Sequence, residues 1–348
     1  MKILIVGGAG FLGAHTVRRC LRDQDNEVTV FDSLEPELHA TTAHLQPVWD
    51  RITFIRGSMG DEPLVANAVQ GQDVIINLAA QTSHPRSLQN PLLDAEINCL
   101  GNLKLLEAVR LLNRKAVVVY ASSSTVIGRA VGDLVDEDHV ERPLDIYSAN
   151  KGVAEKYYRI YNRVHDLNTI VLRFANLYGP YGKGSPEFGF INYFIDLALR
   201  DEEIRIFGAG DQTRNVLYAE DAAEALYLAA QAPQLIGEIY FATHDEHLSV
   251  ARIAEEIRRQ FGSGRITYVD WPDERRRIEI EQVKFSSERF RDLVNWRPAY
   301  DFRQGLARTK GVISGEIDDL EPLVFSSVSN YPQKALEAQK AQEQAGRK

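Results

Sequence analysis

Three glycines, Gly7, Gly10 and Gly13 in GGAGFLG, follow the apolar run Ile3–Val6 and precede a helix-like segment. A tight turn at Gly7, a close backbone approach at Gly10 and close helix-strand packing at Gly13 all demand the absence of a side chain. A helix opening at Phe11–Ala14 would aim unpaired N–H groups and the positive end of its dipole at whatever lies in front, which suits a phosphate. The spacing is GxxGxxG, a variant of the commoner GxGxxG, and by itself it says only that the chain turns. Asp32 ends the next apolar run, nineteen residues after Gly13. A carboxylate there can accept hydrogen bonds from the hydroxyls of an adenosine ribose and would repel a 2′-phosphate. No arginine follows directly, so the pattern predicts NAD rather than NADP.

The rest of the first half supports this. Lys2–Val6, Glu27–Phe31, Ile52–Ile55, Asp73–Leu78, Ala116–Tyr120 and Thr169–Arg173 read as strands, most of them apolar on both faces. Gly13–Asp23, Pro63–Val69, Pro91–Leu112 and Ser148–His165 read as the helices between them. Such alternation predicts an α/β fold, a Rossmann-type doubly wound parallel sheet, over residues 1–175. From residue 176 to about 312 the pattern is interrupted and has no second glycine turn, which predicts a smaller C-terminal substrate-binding lobe, with some segments returning to the first domain. Helices are expected at Phe190–Arg200, Ala219–Ala232 and Val250–Phe261, and strands at Ile204–Phe207, Glu238–Ala242 and Ile266–Val269. Residues 313–348 form an extension whose end, Pro332–Lys348, reads as a surface helix or a frayed tail.

Composition bounds the function. A net charge of −9 over 348 residues argues against a broad nucleic-acid or membrane surface, while leaving room for a local anion site. The two cysteines, Cys20 and Cys99, form no CxxC pair, so neither a disulfide framework nor a structural zinc is expected. The N-terminus reads as a buried strand rather than a signal peptide, and the expected location is cytoplasmic.

Tyr147 and Lys151 in YSANK lie one helical turn apart on a predicted helix. A free tyrosine has a pKa of about 10. A nearby cation lowers the cost of its phenolate and lets it act as a base. The run Ala121-Ser122-Ser123-Ser124-Thr125 puts hydroxyls at the carboxyl end of a predicted parallel strand, where such sheets bind ligands.

GGAGFLG, Asp32, NLAA at Asn77–Ala80, the serine cluster, YSANK and RFANLYGP at Arg173–Pro180 together resemble the extended short-chain dehydrogenase/reductases, and more narrowly the NAD-dependent nucleotide-sugar epimerase/dehydratase group. The resemblance runs to about residue 312. It implies Ser123, Tyr147 and Lys151 as catalytic residues, with Tyr147 the base and Lys151 also on the nicotinamide ribose. Phe11 and Leu12 would offer backbone groups to the pyrophosphate, and Asp32 and Ser33 would meet the adenosine ribose. Leu78, Ala79 and Ala80 would line the cofactor, with Asn98 packed nearby. Ser58-Met59 stands where the group has an Asp-Ile pair at the adenine, so contacts there are expected to be weaker or differently arranged. On the substrate side it implies Ser123, Tyr147, Asn176 and Arg214, with Asn215 in place of the usual following Asp, and Arg276 or Arg277 as a second diphosphate ligand.

The resemblance also bears on the reaction. Sugar 4,6-dehydratases place an Asp-Glu pair directly after the catalytic hydroxyl, and the related decarboxylases a glutamate; Ser124 and Thr125 stand here instead. Hydroxyls without an acid look like the epimerases. A UDP-hexose 4-epimerase is the leading expectation, with a CDP-tyvelose-type 2-epimerase, a dehydratase or reductase, and a non-catalytic dinucleotide sensor behind it. A homodimer through the helices near Pro91–Leu112 and Ser148–His165 is implied too.

Overall fold

The computed structural model describes residues 1–320 apart from positions 36, 37, 39, 133, 278 and 281, and omits the side chains of residues 274 and 275. The predicted tail at Pro332–Lys348 lies outside the described residues. Six strands come first: β1 Lys2–Val6, β2 Glu27–Asp32, β3 Ile52–Arg56, β4 Val74–Asn77, β5 Val117–Ser123 and β6 Asn168–Phe174. Six follow: β7 Asn176–Tyr178, β8 Glu203–Phe207, β9 Thr213–Tyr218, β10 Ile239–Ala242, β11 His247–Ser249 and β12 Arg265–Val269. The first six helices are α1 Phe11–Arg22, α2 Glu62–Val69, α3 His84–Gln89, α4 Pro91–Ala95, α5 Gly101–Leu112 and α6 Ile146–His165. The remainder are α7 Phe190–Leu199, α8 Ala219–Ala230, α9 Val250–Phe261, α10 Asp273–Arg277, α11 Glu288–Val294 and α12 Phe302–Ser314.

Seven strands form one parallel sheet in the order β10-β6-β5-β4-β1-β2-β3. The order reverses between β1 and β4, and the crevice beyond the carboxyl ends of those strands is where doubly wound sheets bind ligands. Both faces are covered because β1 alternates its side chains between two cores. Ile3 and Ile5 pack with Val17 and Leu21 of α1 and Leu226 of α8, whereas Leu4 and Val6 pack with Val65 of α2 and Leu105 and Leu106 of α5. The chain returns to this sheet late: β10 pairs with β6, and α8 packs beside α1. A separate core of Ile191, Phe194, Ile204, Ile206, Ile253, Ile257 and Phe302 serves the second lobe, which carries the β12-β8 pair and the three-stranded sheet β11-β9-β7.

Two departures from the sequence pattern matter. The helix expected over Pro91–Leu112 is divided, with a π-helical turn over Glu96–Leu100 between α4 and α5. Asn98 in that turn is fully buried and clasps the backbone of Gln81, accepting from its N–H at 3.2 Å and donating to its carbonyl at 2.9 Å. β5 runs three residues further than expected, so that Ser122 and Ser123 pair in register with Arg173 and Phe174 of β6.

That extension places a buried charge cluster under the sheet's end. Arg173 donates to both carboxylate oxygens of Glu155 on α6, from Nε at 2.9 Å and Nη2 at 2.6 Å, and from Nη2 to Glu141 at 2.7 Å. The Ser122 hydroxyl also donates to Glu155, at 2.5 Å. Removing one partner leaves the other charge buried and uncompensated, at a cost of about 3–5 kcal/mol. Arg173→Leu is accordingly expected to lower the unfolding free energy by roughly that amount. Urea denaturation followed by circular dichroism checks it, and an unchanged midpoint would mean the cluster adds nothing.

Candidate active site

A cleft of about 1620 Å³ runs from the glycine turn to the second lobe. That exceeds the usual 300–1,000 Å³ of a single small-molecule pocket and has room for two ligands end to end. Gly7 sits at φ +80°, and a Cβ there would come within 2.7 Å of the Ala79 nitrogen. A Cβ on Gly13 would meet the Gly7 carbonyl oxygen at 2.2 Å, whereas nothing comes closer than 3.3 Å to one on Gly10. So Gly7 and Gly13 are glycines for packing, and Gly10 leaves its backbone open to the cleft. Helix α1 begins at Gly10 without a side-chain cap, leaving first-turn N–H groups to Phe11, Leu12 and Gly13, all of which line the cleft.

Asp32, nearly buried at the end of β2, accepts from the N–H of Ala9 and of Leu34, both at 2.9 Å. Burial pushes its carboxyl above the usual range, against the pull of those two bonds and of Lys183. The Lys183 amine is in turn lowered to about 8 by its own burial, with Asp32 opposing. Ser33, Ser58 and Met59 line this end. The Ser58 hydroxyl accepts from Gly60 N–H at 3.1 Å, and Met59 packs into the core with Phe31 and Leu105, so neither supplies the carboxylate that the resembled group has there. Leu78, Ala79 and Ala80 line the middle, with Asn77 accepting from Ala79 N–H at 3.2 Å. Asn98 is not part of the lining; its contact is with Gln81, one residue past Ala80.

Ser123 ends β5, and its hydroxyl lies 2.8 Å from that of Thr125. Tyr147 and Lys151 stand one turn apart on α6, which begins at Asp145, whose side chain accepts from Ser148 N–H at 2.8 Å. Burial raises the Tyr147 phenol well above its ordinary value, and the Ser123 hydroxyl offsets part of this. Lys151 donates to the Ala121 carbonyl at 2.9 Å, with its Nζ 4.6 Å from the Tyr120 ring centre and 6.0 Å from that of Tyr147. Burial lowers the Lys151 amine to about 8, against the pull of Glu155 and Asp94. The sequence pattern alone puts the lysine beside the phenol; in the structure its first partner is a strand carbonyl.

Farther along, Asn176 donates to the Asn215 carbonyl at 2.9 Å. Arg214 donates to the carbonyls of Thr213 and Ile280, each at 2.8 Å, and pairs with Glu279. All four of Asn176, Arg214, Glu279 and Asn215 line the cleft. Arg276 and Arg277 do not: they are exposed on α10, outside the lining. Sequence reading also passed over His84, which opens α3 and lines the cleft beside Tyr147, and Lys183, which reaches toward Asp32. The available signal for His84 was its place in the loop after β4, at a carboxyl end. For Lys183 nothing local gives the long-range contact away. No cluster of three His, Cys, Asp or Glu side chains able to hold a metal occurs among the described residues.

The open glycine backbone, the uncapped helix start and the Asp32 carboxylate fit a dinucleotide with two free ribose hydroxyls. The sequence model for the NAD dependent epimerase/dehydratase family matches residues 3–242. The UDP-glucose 4-epimerase of Mycolicibacterium smegmatis is 28% identical over 315 residues, covering 89% of this chain and 97% of that one. A dTDP-glucose 4,6-dehydratase of Escherichia coli is 31% identical over 341 residues, covering 89% and 91%. The crystal structure of Thermus thermophilus UDP-glucose 4-epimerase in complex with NAD superposes with a TM-score of 0.81 at 27% identity, over 91% of this chain and all of that one. With its glycine turn, seven-stranded parallel sheet and Ser123, Tyr147 and Lys151 on one cleft wall, this chain belongs to the NAD-dependent epimerase/dehydratase family of extended short-chain dehydrogenase/reductases, and NAD is its cofactor.

Proposed function

We propose that this protein is a nucleotide-sugar epimerase that inverts carbon 4 of a UDP-hexose through a transient keto-sugar. The observation that carries the reading is the wall beside Tyr147: Ser123, Ser124 and Thr125 line the cleft there, and the first and third bond each other rather than flank a carboxylate. Elimination of water needs a second proton donor and acceptor at that place, and hydroxyls of ordinary pKa do not serve.

In this reading the backbone from Gly7 to Gly13 holds the pyrophosphate of NAD, Asp32 and Ser33 hold the adenosine ribose, and Lys151 holds the nicotinamide ribose. When bound, NAD supplies a hydride acceptor that can return the hydride. Tyr147, which would be ionised with help from the Lys151 cation and the positive nicotinamide against the burial that raises its phenol, takes the proton of the sugar hydroxyl onto its phenolate oxygen, to which Ser123 donates. Lys151, poised by burial near neutrality, supplies positive charge close by. Arg214 turns from Glu279 to the diphosphate, where its fork can bind two oxygens, and Asn176 meets the sugar nucleotide. Arg276, outside the lining, takes no part.

Incubating the protein with UDP-, dTDP-, CDP- and GDP-sugars and following products by proton NMR tests the reaction. A 4-epimer formed without net NADH is expected. A 2-epimer would favour the CDP-tyvelose type, and a 4-keto-6-deoxy product would overturn the proposal. Tyr147→Phe is expected to lower turnover by at least about a hundredfold, and unchanged turnover would remove the catalytic assignment. The second expectation concerns pH. A lysine whose pKa falls from about 10.4 to about 8 on folding is destabilising while protonated. The penalty is full below pH 8 and relieved as pH rises towards 10 or so. NMR of ¹³Cε-labelled lysines should show two signals titrating near 8, those of Lys151 and Lys183, told apart with Lys151→Arg; a midpoint near the ordinary value for Lys151 would contradict the desolvation argument.

The same reading includes a homodimer. Leu111 on α5, and Ile160 and Val164 on α6 are exposed apolar residues that a second copy would cover. Light scattering should give twice the chain mass, and Ile160→Glu should halve it; an unaltered monomer in both would exclude this interface.

A further inference from the structure

His84 and Asp145 form a pair that the proposed chemistry leaves unused. Loop 78–83 leaves the carboxyl end of β4, and Ser83 caps α3 by accepting from Arg86 N–H at 3.2 Å, which fixes His84 at the first position of the helix. Asp145 caps α6 through one oxygen, and its other oxygen meets His84 Nδ1 at 2.6 Å. One carboxylate thus locks both the start of the helix bearing Tyr147 and the plane of the imidazole. The rings of His84 and Tyr147 meet edge to face with centres 4.8 Å apart.

The Asp145 side chain is nearly buried, whereas that of His84 is 35% exposed, into the cleft that both residues line. Burial pushes the Asp145 carboxyl up, but the bonds from His84 and Ser148 outweigh it and hold it below its usual range. An ionised carboxylate only accepts, so Nδ1 carries the proton and, in the neutral ring, Nε2 is an acceptor. No hydrogen-bond partner meets Nε2 among the described residues. This is the carboxylate-oriented imidazole that polar sites use to present one ring nitrogen to a ligand. Two ring edges so close reach groups on neighbouring carbons of one sugar ring rather than its opposite ends.

We propose that His84 is a further substrate-binding residue of this site: held by Asp145, its Nε2 accepts a hydrogen bond from the sugar hydroxyl next to the one that Tyr147 deprotonates. The inference rests on the nucleotide-sugar reading above. For a hexopyranose acted on at carbon 4, the free hydroxyl on a neighbouring carbon is that of carbon 3. The ligand class is therefore a nucleotide-linked hexose with an unsubstituted 3-hydroxyl, and Asp145 is a positioning residue.

The test compares UDP-glucose with UDP-3-deoxyglucose on the full chain and its variants. In His84→Leu, kcat/KM for UDP-glucose should fall roughly tenfold, the worth of one hydrogen bond, chiefly through KM. The same variant should handle the 3-deoxy sugar as the parent protein does. His84→Gln, which keeps an acceptor at similar reach, should recover part of the loss. Asp145→Asn keeps the helix cap, because asparagine caps as well as aspartate, and should show an intermediate loss confined to the hydroxylated sugar. Equal losses on both sugars, or no loss on either, overturn the proposal. If instead Tyr147→Phe keeps full turnover, the underlying reading fails and this inference with it.

Discussion

The side chain of Glu155 holds helix α6 to the sheet. Tyr147, Lys151 and Glu155 recur every four residues and share one face of α6. The third of them is anchored to Arg173 of β6 and to the Ser122 hydroxyl of β5. With that anchor made, Lys151 falls against the Ala121 carbonyl and Tyr147 arrives beside Ser123. The buried carboxylate also pulls the Lys151 amine back up against the desolvation that would otherwise discharge it further. Geometry and charge at the reacting end therefore depend on one buried cluster whose members come from two strands, a helix and the segment holding Glu141.

How much of this could be read from the chain follows from where the forces act. The large sheet was legible because strands covered on both faces are apolar along most of their length, as β1, β4 and β5 are. The small sheet was not: β7 and β11 have three residues each, too few for alternation to register. The local hint of the division of the expected Pro91–Leu112 helix is Gly101, whose N–H closes the π turn on the Glu96 carbonyl. The division accompanies a tertiary bond, the clasp of Asn98 on Gln81, made by residues seventeen apart. The extra length of β5 was equally hidden, because serines at a strand end suggest a turn, and only pairing with β6 reveals otherwise.

The site divides the same way. Gly7 and Gly13 are needed for backbone reasons, and the structure shows the close approaches that bar a side chain at both. Tyr147 and Lys151 share a helical face by spacing alone. Arg214 reaches the cleft wall but spends its guanidinium on Glu279, a partner sixty-five residues away that no local pattern exposes. Arg276 belonged to a charged run that could be read as site or surface, and it lies on the exposed side of α10.

The uncharged Ser58-Met59 pair alters the electrostatics of the cleft's adenosine end. Asp32, Glu35 and Glu96 line the cleft together with Lys104 and Lys183, and Lys104 is paired with Glu62. The chain as a whole carries −9, a field that disfavours the approach of any anion from a distance. A carboxylate in place of Ser58 would add one more negative charge to those a dinucleotide meets there. With serine there instead, short-range bonding has less repulsion to overcome, and salt would screen the long-range field within about 10 Å at 0.1 M.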